Sequence, residues 1–300
     1  MSTATTSRYL DLRALSALEG MRFATRHRIE GSYSGRHRSR QQGGSGEFVD
    51  FREYTGGEDL RRLDWKVLAR TGKAFIRMHQ EETNLRCTLA LDASGSMRFG
   101  EGSRFGSKLD YAKYLATALS HVIAAGQDEV GLAVLTDELH EALSPGNAPT
   151  HVGYLQSRIE AVATRPTRTM GSGLRQLFEQ SSGRGVLLLI SDMLAEDLDD
   201  IAGAVRLFRH RSWEVIVLHL VHPEEERLPQ GLAFRFEGLE GEGRLDCSPA
   251  AIRNAYERRF ADHLTGIRQM ALAAGCDYRR VSLTVDYLHT LGRFLVARAG

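Results

Sequence analysis

The chain has 300 residues, 42% of them hydrophobic and 26% charged, with a net charge of +1 at pH 7. That length suits one large α/β domain with additions or two small domains, and the composition is that of a folded globular chain, not a disordered or membrane-resident one. The charge is uneven, 15 Lys and Arg against 9 Asp and Glu in residues 1–80 and 24 against 29 afterwards, but no aromatic stacking motif accompanies the basic part, so nucleic-acid binding is not expected.

No apolar run approaches the roughly 18 residues that span a bilayer, and the opening residues have no apolar leader segment, so neither export nor insertion is expected. Cys87, Cys247 and Cys276 are odd in number, far apart and without CxxC spacing. Reduced thiols in a cytoplasmic protein fit this better than disulfides or zinc.

In chain order, Leu10 to Met21 reads as a short amphipathic helix, and Gly31 to Gly46 as a Ser-, Gly- and Arg-rich loop. Strand-like pieces follow at Glu47–Phe51 and Lys73–Met78, around a helical stretch within Glu58–Ala69. From Arg86 the pattern alternates: apolar run to Leu91, helix at Lys108–Ala125, apolar run at Val130–Thr136, helices at 151–163 and 171–181. It continues with a strand at Val186–Ile190, a helix near 198–210 and a strand at Glu214–Val221. That β-α-β order predicts a parallel sheet, with strands so uniformly apolar that both faces must be covered. Alternation in 231–247 around Gly238, Gly241 and Gly243 predicts an inserted β-hairpin. Ser248-Pro249 then opens a helix running to about Ala274, followed by a strand at Tyr278–Leu283 and a closing helix at Tyr287–Ala297.

Chemistry concentrates where the first buried strand ends, in Asp92-Ala-Ser94-Gly-Ser96. Oxygen-bearing side chains at i, i+2 and i+4, with Gly95 permitting a tight turn, can converge on one hard cation. A second apolar strand ends in Ser191-Asp192, and in a parallel sheet its carboxyl end lies on the same edge. A strand-end Asp by itself is more often a loop cap than a ligand. Two of them brought together repel unless a cation intervenes, so the pair points to a divalent ion, Mg²⁺ first and Mn²⁺ or Ca²⁺ as alternatives.

These residues resemble the metal-ion-dependent adhesion site of von Willebrand factor A domains, in which DxSxS is joined by a Thr on a later loop and an Asp after a further strand. Asp92, Ser94, Ser96 and Asp192 match. Thr167 and Thr169 both stand before a helix, and Thr169, whose loop leads straight into it, is preferred. The resemblance implies hydroxyls bound directly to the metal, aspartates acting through water, and one position open to an acidic residue of a protein partner.

Upstream, Phe48, Arg52, Tyr54, Gly56, Glu58, Asp59, Arg61, Arg62, Asp64, Trp65 and Lys66, with Ala69 to Gly72, make a dense signature. It resembles that of the bacterial family catalogued as domain of unknown function 58, where it immediately precedes an A-type domain. Read by itself, its mixture of guanidinium forks, carboxylates and one large aromatic suits an ion-pair network, with reception of an acidic partner by Arg62 and Arg70 as the rarer alternative.

The expected architecture is therefore α/β: a β-rich N-terminal addition over residues 1–84, then a Rossmann-like von Willebrand factor A domain over 85–300, its mostly parallel sheet flanked by helices. Gene neighbourhoods in the resembling family imply an adaptor or chaperone-like partner of a MoxR-type AAA+ ATPase or of its client. Enzyme alternatives lack parts: Ser94 stands where an aspartyl-phosphate phosphatase needs a second carboxylate, and there is no Walker loop, GxSxG elbow or HExxH. A metal-dependent phosphoryl-transfer hydrolase and a structural self-assembly protein are the alternatives to a non-catalytic binding module.

Overall fold

The computed structural model describes residues 7–10, 12–25, 47–55, 63–80, 84–231 and 233–299. In chain order the elements are α1 (Leu12–Leu18), β1 (Glu47–Glu53), α2 (Trp65–Thr71), β2 (Phe75–Gln80), β3 (Arg86–Asp92) and α3 (Lys108–Ala125). Then come β4 (Glu129–Leu135), β5 (Leu139–Gly146), α4 (Pro149–Ala161), α5 (Gly171–Gln180), β6 (Val186–Ser191), α6 (Leu198–His210) and β7 (Glu214–Val221). The chain closes with α7 (Pro223–Glu226), β8 (Phe234–Glu237), β9 (Arg244–Cys247), α8 (Pro249–Ala273), β10 (Asp277–Ser282) and α9 (Tyr287–Ala299).

Two compact units divide the chain, residues 26–85 forming one and residues 1–25 with 86–300 the other. In the smaller unit β1 and β2 pair antiparallel, and Asp64 caps α2 by accepting from the amides of Lys66 and Val67 at 3.0 and 3.2 Å. Asp59, Arg61 and Arg62 of the expected ion-pair network, and the expected 31–46 loop, lie outside the described residues. The first helix groups with the larger unit, where α1 packs on α3 and α9. Ala14 and Leu18 of α1 are buried, so this short amphipathic helix is drawn to the larger core.

In the larger unit six strands run in the order β10-β7-β6-β3-β4-β5, all parallel except β5, which pairs antiparallel with β4 at the edge. Every residue of β6 and β7 is buried because helices cover both faces. On one face Leu174 and Leu177 of α5, Val205 and Phe208 of α6 and Ile267 of α8 pack against Leu187, Leu189, Val215 and Val217. Residues of opposite parity face the other layer, where α3 packs with α1, α4 and α9. Arg298, buried at the end of α9, ties that layer to the strand starts through Glu214 at 2.6 Å and Asp277 at 3.0 Å.

Two local features differ from the sequence expectation. The edge strand β5 was not expected, since its burial alternates and it ends in Ser-Pro-Gly, which reads as a loop. Ser248 takes the N-cap position of α8 without a side-chain capping bond, leaving Pro249 at the first turn to set the helix direction. Among the described residues no helix is long and apolar enough to cross a membrane.

The thiols differ in exposure. Cys87 and Cys276 are buried, and burial raises both, Cys276 to about 11, whereas Cys247 on β9 is half-buried. Only the thiolate reacts, so a disulfide reagent should titrate one thiol rapidly in the native protein and the other two only after unfolding. Loss of the rapid phase in Cys247→Ser checks the assignment; a second rapid thiol would contradict the burial.

Candidate metal centre

The strand order reverses at β3: β4 and β5 lie to one side of it, β6, β7 and β10 to the other. Such a switch point opens a crevice at the carboxyl ends of the strands, because the connections leave toward opposite faces. β3 and β6 are neighbours, with Leu91 level with Ile190, so Asp92 stands level with Ser191 and Asp192 follows one residue on, at the same edge. The chain turns sharply after Asp192, with Met193 in the left-handed region at φ 56°.

The DxSxS loop folds against this edge as a short 3₁₀ turn over Gly95–Arg98. Asp92 Oδ1 accepts the Ser94 amide at 2.8 Å, and the Ser191 hydroxyl donates to Asp92 Oδ2 at 2.5 Å. The Ser94 and Ser96 hydroxyls lie 3.0 Å apart, and the Ser96 hydroxyl is near enough to Asp192 to help lower its carboxyl. Asp92, Ser94, Ser96 and Asp192 are all buried. These four sequence-predicted residues therefore form one oxygen cluster.

The third loop runs beside them. The Arg165 amide donates to the Ala93 carbonyl at 2.7 Å, drawing 163–170 alongside the DxSxS loop. Asp197 fixes its far end by accepting from the amides of Met170 and Gly171, the latter at 2.7 Å, at the start of α5. Within the loop the Thr167 hydroxyl donates to the Thr169 carbonyl at 3.2 Å. Asp197→Ala should cost about 1–2 kcal/mol, the range of a lost helix-start acceptor, and speed hydrogen exchange at Met170 and Gly171; unchanged exchange would show that another group holds the loop.

Electrostatically the cluster is rich in buried negative charge. Lys108, at the start of α3 and fully buried, donates to Asp192 at 2.5 Å and to Glu225, which sits in a capping box with His222 on α7. Burial alone would lower the Lys108 ammonium, but Asp192 and Glu225 outweigh it and raise it. Although burial would raise Asp192, the adjacent Lys108 charge brings its carboxyl below the usual range. Among the described residues Asp92 has no such cation, and burial with the nearby Asp192 charge pushes its carboxyl up to about 6.

That imbalance is what a divalent cation would relieve, and hydroxyl plus carboxylate oxygens are its preferred donors. Among the described residues no three His, Cys, Asp or Glu side chains are grouped to hold a metal. A cation here would lean on the serine hydroxyls and on water beside the two aspartates, a set that fits Mg²⁺ better than zinc.

Sequence reasoning missed Lys108, Ser191, Glu225 and Glu240. Lys108 was findable, since it lies on the stripe of α3 that continues through Ala112, Leu115 and Leu119, and a lysine there must be buried and paired. Glu240, at the tip of the β8–β9 hairpin, carried no such signal. Its carboxylate accepts the Ser96 amide through Oε1 and the Thr167 amide through Oε2, each at 2.6 Å.

A mostly parallel sheet in this order, with an antiparallel strand at one edge and DxSxS after the strand where the order reverses, defines a von Willebrand factor A domain. A family model described as "Protein of unknown function DUF58" matches residues 50–266, and the chain belongs to that family. Among curated proteins it is similar to an uncharacterized protein of Mycobacterium tuberculosis, 24% identical, the match covering 96% of this chain and 90% of that one. Solved structures similar to it include an aerotolerance-related membrane protein from Bacteroides fragilis, at TM-score 0.47 and 16% identity, covering 72% of this chain and 98% of that one. The VWA domain of SpRpn10 matches at TM-score 0.42 and 14% identity, covering 70% and 95%.

Proposed function

We propose that the protein is a non-catalytic interaction module that binds an acidic residue of a partner protein through a divalent cation, Mg²⁺ in first place. Asp92, Ser94, Ser96 and Asp192 would hold the ion, joined by Thr169 or by Thr167. The observation that carries the reading is the cluster of two strand-end aspartates and two serine hydroxyls, in which Asp92 has no cation of its own among the described residues. Bound there, the ion supplies an electropositive point that attracts a carboxylate. The chain's own residues do the rest: Ser94 and Ser96 orient hydroxyl oxygens, Ser191 fixes the Asp92 carboxylate, and Lys108 keeps Asp192 ionised.

A MoxR-type AAA+ ATPase or its client is the partner class we propose, in a cytoplasmic setting. Phosphoryl transfer is less well supported, because Lys108 is fully buried and held by two carboxylates, so it is not presented to a phosphate. Affinity purification from the native host with Mg²⁺ or with EDTA tests the reading. An ATPase or client recovered with Mg²⁺, and lost with EDTA or in Asp92→Ala, is the expected result. Recovery of the chain alone would indicate self-assembly, and Asp92-dependent phosphate release from ATP would indicate an enzyme; either outcome overturns the reading.

A further inference from the structure

The β8–β9 hairpin is the one inserted element that reaches the crevice within the described residues, and it does so through its tip. Its strands are largely exposed, with Phe234 37% and Leu245 59% exposed, so they are not held by burial in the core. The tip is shaped by its own bonds: the Gly238 amide donates to the Gly243 carbonyl at 2.8 Å, and the Glu240 amide to Glu242 Oε2 at 3.0 Å. Gly241, at φ 85°, supplies the left-handed turn that presents Glu240.

What the tip meets is a two-pronged seat. The amides of Ser96 and Thr167 come from separate loops and converge on the two oxygens of one carboxylate, each at 2.6 Å. Two donors spaced to match the two oxygens recognise a carboxylate rather than a hydroxyl or an amide. The approach is close enough to require glycine below it, since a Cβ on Gly95 would lie 2.2 Å from the Leu239 carbonyl and 2.8 Å from Glu240 Oε2.

We propose that the Ser96 and Thr167 amides form a carboxylate-binding seat beside the metal centre, and that Glu240 is its resident occupant, which an acidic side chain of a partner protein must displace. The hairpin is then a built-in competitor, tethered to the site it fills, and a tethered ligand lowers the apparent affinity of any free one by its high effective concentration. This rests on the metal-dependent reading for the identity of the competitor, but not for the seat itself.

Hydrogen exchange and peptide titration together test it, on the full chain. In the wild type the amides of Ser96 and Thr167 should be protected; in Glu240→Ala both should exchange at least about tenfold faster, with Glu240→Gln, which keeps one acceptor oxygen, in between. The probe for displacement is an acetyl-Gly-Glu-Gly-amide peptide with Mg²⁺, which should bind Glu240→Ala at least about tenfold more tightly than wild type, as removal of a tethered competitor requires. Unchanged exchange in Glu240→Ala overturns the seat, even if the peptide binds in a metal-dependent way. Faster exchange with equal peptide affinity overturns the competition. Faster exchange with no peptide binding to either protein supports the seat and counts against the metal-dependent reading alone.

Discussion

Asp92→Ala should abolish divalent-cation uptake while leaving the fold nearly as stable as before. The carboxylate is buried, accepts from the Ser94 amide and the Ser191 hydroxyl, and is pushed up to about 6 by burial and by Asp192. Removing it loses two hydrogen bonds, at about 1 kcal/mol each, but also relieves an unfavourable buried charge, so the net change in folding is small. Metal binding has no such compensation. Groups that touch a metal only through water already change its affinity about 10–100-fold, and the loss here should be at the top of that range or beyond it. Asp92→Asn sharpens the case, because it keeps an acceptor for the Ser94 amide and removes the charge; it should fold at least as stably as wild type and still fail to bind Mg²⁺. Calorimetric titration of Mg²⁺ and Mn²⁺, with thermal melts in EDTA, provides the measurements. Full metal affinity in either variant would reduce Asp92 to a loop cap.

Lys108→Met should be among the most destabilising single substitutions in the larger unit. The ammonium is fully buried and holds two carboxylates from different elements, Asp192 after β6 and Glu225 on α7. Methionine fills a similar volume but strands both acids in the interior with no positive charge. Removing one member of a buried ion pair costs about 3–5 kcal/mol, against a typical domain stability of about 5–15 kcal/mol. Denaturant unfolding in EDTA should show this loss. The triple variant Lys108→Met, Asp192→Asn, Glu225→Gln should recover much of it, since neutral groups of similar shape do not carry the desolvation penalty. A loss below about 1 kcal/mol in the single variant, the range of exposed pairs, would mean that water reaches the cluster and that Lys108 does not control its charge.

The same residue illustrates how far the chain can be read without coordinates. The parallel strands β3, β4, β6 and β7 and the helices α3 and α6 follow from apolar runs and 3.6-residue stripes, because burial on both faces leaves a one-dimensional trace. Once those strands are parallel, Asp92 and Asp192 must share an edge, and the DxSxS spacing supplies the hydroxyls. Lys108 stands on the α3 stripe and so could have been read as a buried cation, but the sequence reading passed over it, and nothing local points to its partners.

What only the tertiary structure decided are contacts across long stretches of chain. Ser191 reaching Asp92, Lys108 reaching Glu225 and Glu240 reaching Ser96 and Thr167 join residues separated by 99, 117, 144 and 73 positions. No local periodicity encodes such meetings; they depend on which strands become neighbours and where an exposed hairpin comes to rest. The edge strand β5 belongs with them, since an alternating, proline-containing segment becomes a strand only because β4 presents an open edge for it to pair with. The sequence by itself therefore determined the parallel strands of the sheet and the principal oxygen-bearing residues of the cluster, through burial and spacing. The tertiary fold decided the charge balance of the site and which carboxylate sits at its mouth, because both are set by distances between segments that the sequence does not order.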